Sequence, residues 1–225
     1  MANKTINSAS DTGVRGKNKS IFREYAEAIL IALMLALFIR TFVIQAFKIP
    51  SGSMEPTLLI GDHILVSKFA YGIHIPNEIP FINLKLFSDI ILFPELPERG
   101  DIIVFKFPKD ERRDFIKRVV GLPGDLLQVK SQKLFINEKP YEDPHAYHRE
   151  LPGTDPLVPR DDFGPVRVPE GHLFVMGDNR ENSQDSRYWG FLDFKKVKGK
   201  ALIIYWSWNT LDSWVRSDRF GQVLQ

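Results

Sequence analysis

The sequence predicts a mainly β protein, with antiparallel sheets that form a sandwich or a partly open barrel, and one transmembrane helix near its N-terminus. After residue 60, short runs of β-branched and aromatic residues alternate with turns rich in Gly, Pro and Asp. Regular spacing of such runs is typical of antiparallel sheets. One long apolar segment precedes residue 43, and no ten-residue amphipathic helix pattern follows it.

The composition narrows the class of protein. Of 225 residues, 44% are apolar and 26% are charged, which is typical of a folded protein with one or two domains. The net charge of +2 argues against nucleic acid as the main partner, because phosphate binding needs a concentrated basic face. Cysteine is absent, which excludes disulfide scaffolds, thiol catalysis and thiolate metal sites.

The N-terminal region predicts a tail followed by a membrane anchor. Residues 1–20 are polar, with four cations against one acid, and we expect them to be disordered in the cytoplasm. The uncharged run Ala28–Ile39 is too short to cross a membrane. A helix over 21–42 is long enough to cross one if the charged side chains near its ends reach the lipid headgroups. A cleaved signal sequence and a buried core helix are the alternatives. The anchor would place residues 43–225 on the extracytoplasmic (periplasmic) side of the cytoplasmic (inner) membrane, in a single-pass topology.

The rest of the chain is predicted to form an extracytoplasmic β domain that carries the chemistry. The pattern predicts strands at Asp62–Ser67, Asp101–Phe107, Phe115–Val120, Leu126–Lys130, Lys133–Asn137, Gly171–Met176 and Gly199–Ser207.

One insertion interrupts this β pattern. Seven of the fifteen prolines fall in residues 138–170, which predicts a loop-rich insertion, since proline is excluded from central strands. A cap or spacer is its simplest role.

Two apolar regions have alternative interpretations. The irregular segment Ile73–Leu96 is either ordinary core or a loop on the bilayer surface. The four tryptophans all lie in the last quarter of the chain, where core packing and interfacial anchoring are both open.

Serine gives the strongest chemical signal. The run Ile49-Pro-Ser-Gly-Ser-Met-Glu-Pro-Thr-Leu58 follows the membrane segment, with prolines to stiffen it and a glycine between two hydroxyls. A rigid, bent loop is a suitable mount for a nucleophile. Taken alone, such a run is more often a simple turn.

A lysine and a polar loop complete the set of candidate residues. In Asp114–Asp125, strand alternation puts Phe115, Lys117 and Val119 on one face, where burial would lower the lysine pKa. A lysine whose ammonium reaches water is the simpler alternative. The segment Gly177–Gly190 is dense in hydrogen-bonding groups and is either a plain polar loop or the support of a catalytic centre.

Metal and cofactor sites are not expected. The five histidines are scattered, and the pair His145-x-x-His148 lies in the proline-rich insertion without the acid of a zinc-peptidase helix. The sequence contains no nucleophile elbow, P-loop or dinucleotide fingerprint. We therefore expect no metal and no cofactor.

Taken together and in this order, these segments resemble the bacterial type I signal peptidase (leader peptidase) family, membrane-bound Ser-Lys endopeptidases. Ile49–Leu58 is similar to the family's nucleophile box, Arg99–Phe105 to its next strand, Lys117–Asp125 to its lysine box and Gly177–Gly190 to its last box. Four ordered boxes are highly specific. Glu55 and Glu181 fall where the family varies, and the family's second domain looks abbreviated to about residues 129–170.

The resemblance implies a role for each matching residue. Ser53 would be the nucleophile and Lys117 the general base, Ser51 and Ser53 would form the oxyanion hole, and Ser183 would orient the lysine amine. Ion pairs among Arg118, Asp178, Asp185 and Arg187 would support this centre. Substrate would contact Asp114 and a set of apolar residues. The apolar residues would line shallow pockets that admit small side chains at the first and third positions before the cut: Phe47, Ile49, Pro50, Met54, Leu58, Ile64, Val104, Phe115 and Ile116.

The predicted function is removal of signal peptides from exported preproteins at the lipid bilayer, without nucleic acid or metal as a partner. A dedicated pilus or conjugation processing protease of the same superfamily is one alternative. A membrane-tethered, non-catalytic module that holds exported chains is another. Ser53→Ala and Lys117→Ala separate enzyme from module, because a module keeps its function in both variants.

Overall fold

The computed structural model describes residues 21–75, 90–148, 162–209 and 212–225. The chain divides after Phe38 into two compact units, an N-terminal helical unit and a β unit. The predicted tail over residues 1–20 lies outside the described residues.

The N-terminal unit is built on one apolar helix. Helix α1 (Ile21–Phe38) has no buried residue and is followed by a π-helical turn, Ile39–Val43. Over Ile21–Val43 its most apolar window has a mean hydropathy of 2.2, so the helix is long and apolar enough to cross a membrane. Arg23 pairs with Glu27 one turn later, Nε to Oε1 at 2.8 Å, which offsets two of its charges. The predicted apolar helix is confirmed.

The β unit contains strands and short helical turns, and the chain passes between the sheets several times along its length. The strands are β1 (Ile44–Lys48), β2 (Asp62–Ser67), β3 (Ile73–Ile75), β4 (Ile90–Leu92), β5 (Ile102–Phe107), β6 (Asp110–Gly121), β7 (Leu126–Lys130), β8 (Lys133–Ile136), β9 (Lys139–Tyr141), β10 (Phe163–Arg167), β11 (His172–Met176), β12 (Leu192–Asp193), β13 (Val197–Asn209) and β14 (Trp214–Val215). The helical turns are Gly52–Met54, α2 (Ser186–Trp189), Phe194–Lys196 and Ser217–Arg219.

The main sheet is antiparallel and open. Its strand order is β1-β2-β13-β5-β6-β11-β12, and β14 pairs with β13. The strand β13 runs between β2 and β5, with register shifts that let one long strand follow both neighbours. Antiparallel sheets without a closed barrel therefore agree with the predicted fold class.

A smaller sheet forms where the sequence predicted a loop-rich insertion. Its order is β10-β7-β8-β9, and the predicted hairpin of β7 and β8 closes through Ser131 and Gln132, both with positive φ. Pro140 and Pro165 fall in β9 and β10, which are the outer strands, so the proline rule holds although strands form. Residues 149–161 of the insertion lie outside the described part.

Several strands extend beyond the prediction or were not predicted, and β6 and β1 are the two that adjoin the candidate site. β6 begins at Asp110, five residues before the expected start, and its first half is exposed and charged. β1 was not predicted at all. Both pair through their backbones, β6 with β5 and β1 with β2, and backbone hydrogen bonds do not require an apolar side-chain pattern.

Three apolar clusters fill the β unit. The first lies among β1, β2, β5 and β13, and the second includes Phe105, Val119 and Leu173. The third joins the small sheet to β11 through Phe174 and Met176. The clusters hold β5, β6 and β11 in fixed positions, and these strands carry or adjoin the candidate site.

The segment Ile73–Leu96 and the four tryptophans each include both packed and exposed side chains. Ile91 packs partly against the second cluster, whereas Phe93 is 84% exposed; residues 76–89 lie outside the described part. Trp189 packs against that same cluster, while Trp206, Trp208 and Trp214 are exposed.

Candidate active site

Ser53 lies in a short, well-anchored helical turn after β1. The turn Gly52–Met54 is buried, and Ser53 is 7% exposed while Met54 is fully buried in the first cluster. The amide of Leu58 donates to the Met54 carbonyl at 2.8 Å, which closes the following turn. A buried apolar neighbour and a closed backbone loop hold the hydroxyl in one position.

Lys117 reaches this hydroxyl from β6. Lys117 lies opposite Ile103 of β5, so the pairing of the two strands fixes the position of the Lys117 backbone. Lys117 Nζ lies 2.6 Å from Ser53 Oγ and 2.8 Å from the carbonyl oxygen of Ile116. Nζ also lies 5.5 Å from the centroid of the Phe115 ring. The two residues are 64 positions apart in sequence, and the main sheet brings them together.

Burial changes the acidity of this lysine. Lys117 is 3% exposed, and in the described part of the chain no carboxylate forms an ion pair with it. Burial lowers the pKa of Lys117 to about 8, and the more distant charges of Asp185 and Asp178 oppose part of that shift. With that pKa, roughly a tenth of the amine is neutral at pH 7, and a neutral amine can accept a proton.

Ser183 lies beside the pair without a hydrogen bond to it. Its hydroxyl is buried and has no partner among the described residues, so the bond to Lys117 implied by the resemblance is not formed. Lys117 Nζ is instead directed to Ser53 and the Ile116 carbonyl. Gly177 separates the two serines: a Cβ there would collide with the Ser53 carbonyl and the Ser183 side chain. The absence of a side chain at Gly177 is what allows this close approach.

Asn179 is a residue that the sequence reasoning did not single out. Its backbone N–H donates to the Ser53 carbonyl at 3.2 Å, and its Nδ2 donates to the Gly52 carbonyl at 3.1 Å. It is 1% exposed, and its Oδ1 has no partner among the described residues. The density of hydrogen-bonding residues in Gly177–Gly190 was a signal for the loop, but not for this side chain.

Two buried ion pairs flank the site. Arg118 binds Asp178 through two bonds of 2.8 Å, and it also donates to the carbonyls of Gly100 and Gln225. The Asp185 carboxylate forms an ion pair with the Arg187 guanidinium. As the N-cap of α2, it also accepts a hydrogen bond from the backbone N–H of Arg187. The resemblance implied ion pairs among these four residues without fixing their partners, and the structure pairs Arg118 with Asp178 and Arg187 with Asp185.

The other expected site residues are divided among several surroundings. Ser51 is exposed and precedes the helical turn, without a side-chain capping bond. Pro50 is also exposed, and Asp114 pairs with Lys198 at 2.7 Å. Phe115 belongs to the second cluster. The first cluster brings together the remaining expected contacts, Phe47, Ile49, Met54, Leu58, Ile64, Val104 and Ile116.

Comparison with known proteins gives a consistent family. A family model described as signal peptidase, peptidase S26, matches residues 22–206. Signal peptidase I of Pseudomonas fluorescens is 37% identical over 215 residues, covering 82% of this chain and 72% of the relative. The protein of the same name from Bacillus amyloliquefaciens is 35% identical over 195 residues, covering 86% and 92%.

Among solved structures, a signal peptidase I from Enterococcus faecalis V583 is similar to this chain. It is 32% identical, with a TM-score of 0.38, and the match covers 47% of this chain and 97% of that one. The family match over most of the sequence and the relatives above decide the assignment. The chain belongs to the S26 family of signal peptidases and is a serine endopeptidase.

Proposed function

We propose that this protein removes signal peptides from exported preproteins, with Ser53 as nucleophile and neutral Lys117 as general base. The observation that carries the proposal is the 2.6 Å contact between Lys117 Nζ and Ser53 Oγ, in a site where the amine is buried. A serine hydroxyl is a weak nucleophile until a base takes its proton. An amine whose pKa is about 8 meets that need without a histidine.

The reaction has two balanced steps. In the first, Ser53 Oγ attacks the scissile carbonyl while its proton passes to Lys117 Nζ. The amide bond breaks, the new N-terminus of the mature protein takes that proton, and the signal peptide remains as an ester on Ser53. In the second, Lys117 takes a proton from water and the water oxygen attacks the ester carbonyl. The bond between the acyl carbon and Ser53 Oγ then breaks, the proton passes from Lys117 to Ser53 Oγ, and the signal peptide leaves with a free C-terminal carboxyl group. The direction of the hydrogen bond follows the charge, since the neutral amine accepts from Ser53 and the ammonium donates to it.

Ser51 and the backbone N–H of Ser53 are proposed to bind the oxyanion. Ser51 adjoins the helical turn that bears Ser53, so its hydroxyl and the Ser53 amide belong to one short backbone segment. Loss of one oxyanion donor typically lowers the rate by ~10²–10³-fold. We propose that Ser183 orients the Lys117 amine when substrate is bound, which would give its unpartnered hydroxyl a hydrogen bond.

Substrate is proposed to bind as an extended strand. Among the described strands, β1 is the end strand of the main sheet, and residues 114–117 of β6 pair with β5 on one edge only. The free edge of β1 lies just before the turn that bears Ser53, and the free edge of β6 includes Lys117. Both edges can form backbone hydrogen bonds with a peptide. The first apolar cluster would form pockets that admit small side chains and exclude large ones by overpacking.

The helix α1 is proposed to anchor the enzyme in the cytoplasmic membrane. The N-terminal cations would keep residues 1–20 in the cytoplasm and place the β unit on the periplasmic side. A tether raises the effective concentration of a substrate held in the same membrane. We propose the division that the sequence predicted: a tail over 1–20, an anchor over 21–42 and a catalytic domain over 43–225, with a small second domain at about 129–170.

The test is cleavage of a preprotein with small residues at the first and third positions before the cut, by protein purified in detergent. We expect wild type and the exposed-site control Ser217→Ala to release the signal peptide, and Ser53→Ala and Lys117→Ala to release none. Equal cleavage by Ser53→Ala would refute the proposed mechanism. A set of preproteins altered at those two positions separates general processing from a dedicated pilus or conjugation protease.

A further inference from the structure

A short segment of the insertion pairs with the loop beside the nucleophile. Tyr147 forms a parallel bridge with Asn179: its N–H donates to the Asp178 carbonyl at 2.7 Å, and its carbonyl accepts from the Arg180 N–H at 3.0 Å. We name the segment Asp143–His148 the strap. The strap adds a short strand to the loop that begins at Gly177.

An ion pair ties the strap to the same loop. The Asp143 carboxylate binds the Arg180 guanidinium, and each side chain is 4% exposed. Arg180 Nε also donates to the Gly177 carbonyl at 3.1 Å. At the other end of the strap, His148 Nδ1 lies 2.8 Å from Glu181 Oε1. The strap therefore holds the loop at its backbone and at two side chains.

The opposite edge of this loop contacts the nucleophile turn. The Asn179 N–H, which points away from the strap, donates to the Ser53 carbonyl, and Asn179 Nδ2 donates to Gly52. Gly177, whose carbonyl Arg180 binds, lies directly against Ser53 and Ser183. Successive peptide groups of an extended segment point in opposite directions, so the three loop residues 178–180 are bonded on both edges.

We propose that the strap is a positioning element for the Ser53–Lys117 pair, and that it acts by holding the loop at residues 177–180 against the nucleophile turn. The proposal rests on the proposed function of that pair. Strap residues do not touch the reacting atoms; they fix the backbone that fixes the Ser53 carbonyl. This gives the start of the insertion a role that a cap or spacer would not have.

The expected effect is on turnover more than on substrate binding. A displacement of a reacting group by ~1 Å can cost ~10²-fold in rate. In the described part of the chain, no hydrogen bond joins the strap to β1 or to residues 114–117, where substrate is proposed to bind. Loosening the strap should therefore lower kcat and leave KM nearly unchanged.

The first test removes one backbone hydrogen bond. Tyr147→Pro loses the N–H that donates to Asp178, whereas Tyr147→Ala keeps it and loses the same side chain. We expect kcat for preprotein cleavage to be roughly 10–10²-fold lower in the Pro variant than in the Ala variant, with KM within about twofold. Equal kcat values in the two variants, or a loss confined to KM, would overturn the proposal.

A second test removes the buried charge of the strap without changing its backbone. Asp143→Asn keeps the shape of the side chain, and Glu142→Gln makes the same change of charge at the exposed neighbouring residue. We expect kcat to fall by roughly tenfold or more in Asp143→Asn, and Glu142→Gln to match wild type. If Tyr147→Pro does not fold, the comparison of Asp143→Asn with Glu142→Gln tests the positioning role of the strap.

Folding and the underlying mechanism are checked in the same experiments. Thermal unfolding identifies variants that are folded at the assay temperature, and only their kcat values are compared. Failure of wild type to cleave, or cleavage by Ser53→Ala, refutes the proposed function itself. Normal wild-type cleavage with unchanged kcat in folded Asp143→Asn refutes the strap alone.

Discussion

Two neighbouring residues of β6, Lys117 and Arg118, are both buried cations, but only Arg118 is paired with a carboxylate. Arg118 is 1% exposed and binds both oxygens of Asp178, so its charge is compensated where it lies. Lys117, the residue before it, is 3% exposed and contacts a hydroxyl and a carbonyl. Successive strand residues point to opposite faces, so neighbours in sequence can occupy such different surroundings.

The difference explains why one cation is structural and the other is suited to chemistry. A guanidinium stays charged and needs a carboxylate when buried, which Asp178 provides. A buried lysine without such a partner loses its proton more readily, and burial is the main cause of the lowered pKa of Lys117. The position of the carboxylates, rather than the burial of the cations, separates the two roles.

The largest expected effect comes from making Lys117 resemble its neighbour. Lys117→Arg places a permanent cation beside Ser53, and a guanidinium cannot act as a base at neutral pH. We expect kcat/KM for preprotein cleavage to fall by about 10⁴-fold or more, which is over about 5 kcal/mol of transition-state stabilisation. The exposed Lys133→Arg is the control and should retain full activity. Substantial cleavage by Lys117→Arg would contradict the role of a neutral amine.

A somewhat smaller effect is expected from removing the carboxylate that compensates Arg118. Asp178→Ala leaves the guanidinium buried without its partner, and breaking a buried pair in this way typically costs about 3–5 kcal/mol. Urea denaturation of the detergent-purified protein measures the free energy of unfolding. Asp110→Ala is the matched control, because its partner Arg112 is 91% exposed and such surface pairs contribute about 0–1 kcal/mol. Similar losses in both variants would show that Arg118 does not need Asp178.

The smallest expected effect is a dependence of stability on pH that comes from Lys117 alone. Its pKa is about 8 in the folded protein and near 10.5 when exposed, so between these values the unfolded chain binds more protons. The contribution of Lys117 to stability must therefore rise with pH across that window. Between pH 7 and 10 we expect wild type to gain roughly 2 kcal/mol relative to Lys117→Met, as measured by urea denaturation. A constant difference would mean that burial does not perturb this lysine.

The same pKa determines the expected activity profile. Lys117 acts as a base only when neutral, so kcat/KM should rise with pH through about 8 and then level off. A rising limb well below that range would show that the free enzyme holds the amine in an even less polar or more positively charged environment. This measurement extends the stability experiment to the working enzyme.

Much of the fold followed from local patterns. The apolar run over residues 21–42 predicted α1, and alternation with turn residues predicted β2, β5, β7 and β8 within about a residue. These features are determined by local periodicity and turn chemistry. β1 and the first half of β6 were missed because they are held by pairing to β2 and β5, and not by a distinctive pattern of their own.

By itself, the sequence determined which residue types lie in which boxes, and hence the candidate nucleophile, base and supporting ion pairs. Only the tertiary structure decided that Lys117 Nζ meets Ser53 Oγ, that Asn179 holds the nucleophile turn, and that Ser183 has no hydrogen bond to the amine. These outcomes depend on distances between segments far apart in the chain. Such distances are set by sheet pairing and core packing, which local sequence does not encode residue by residue.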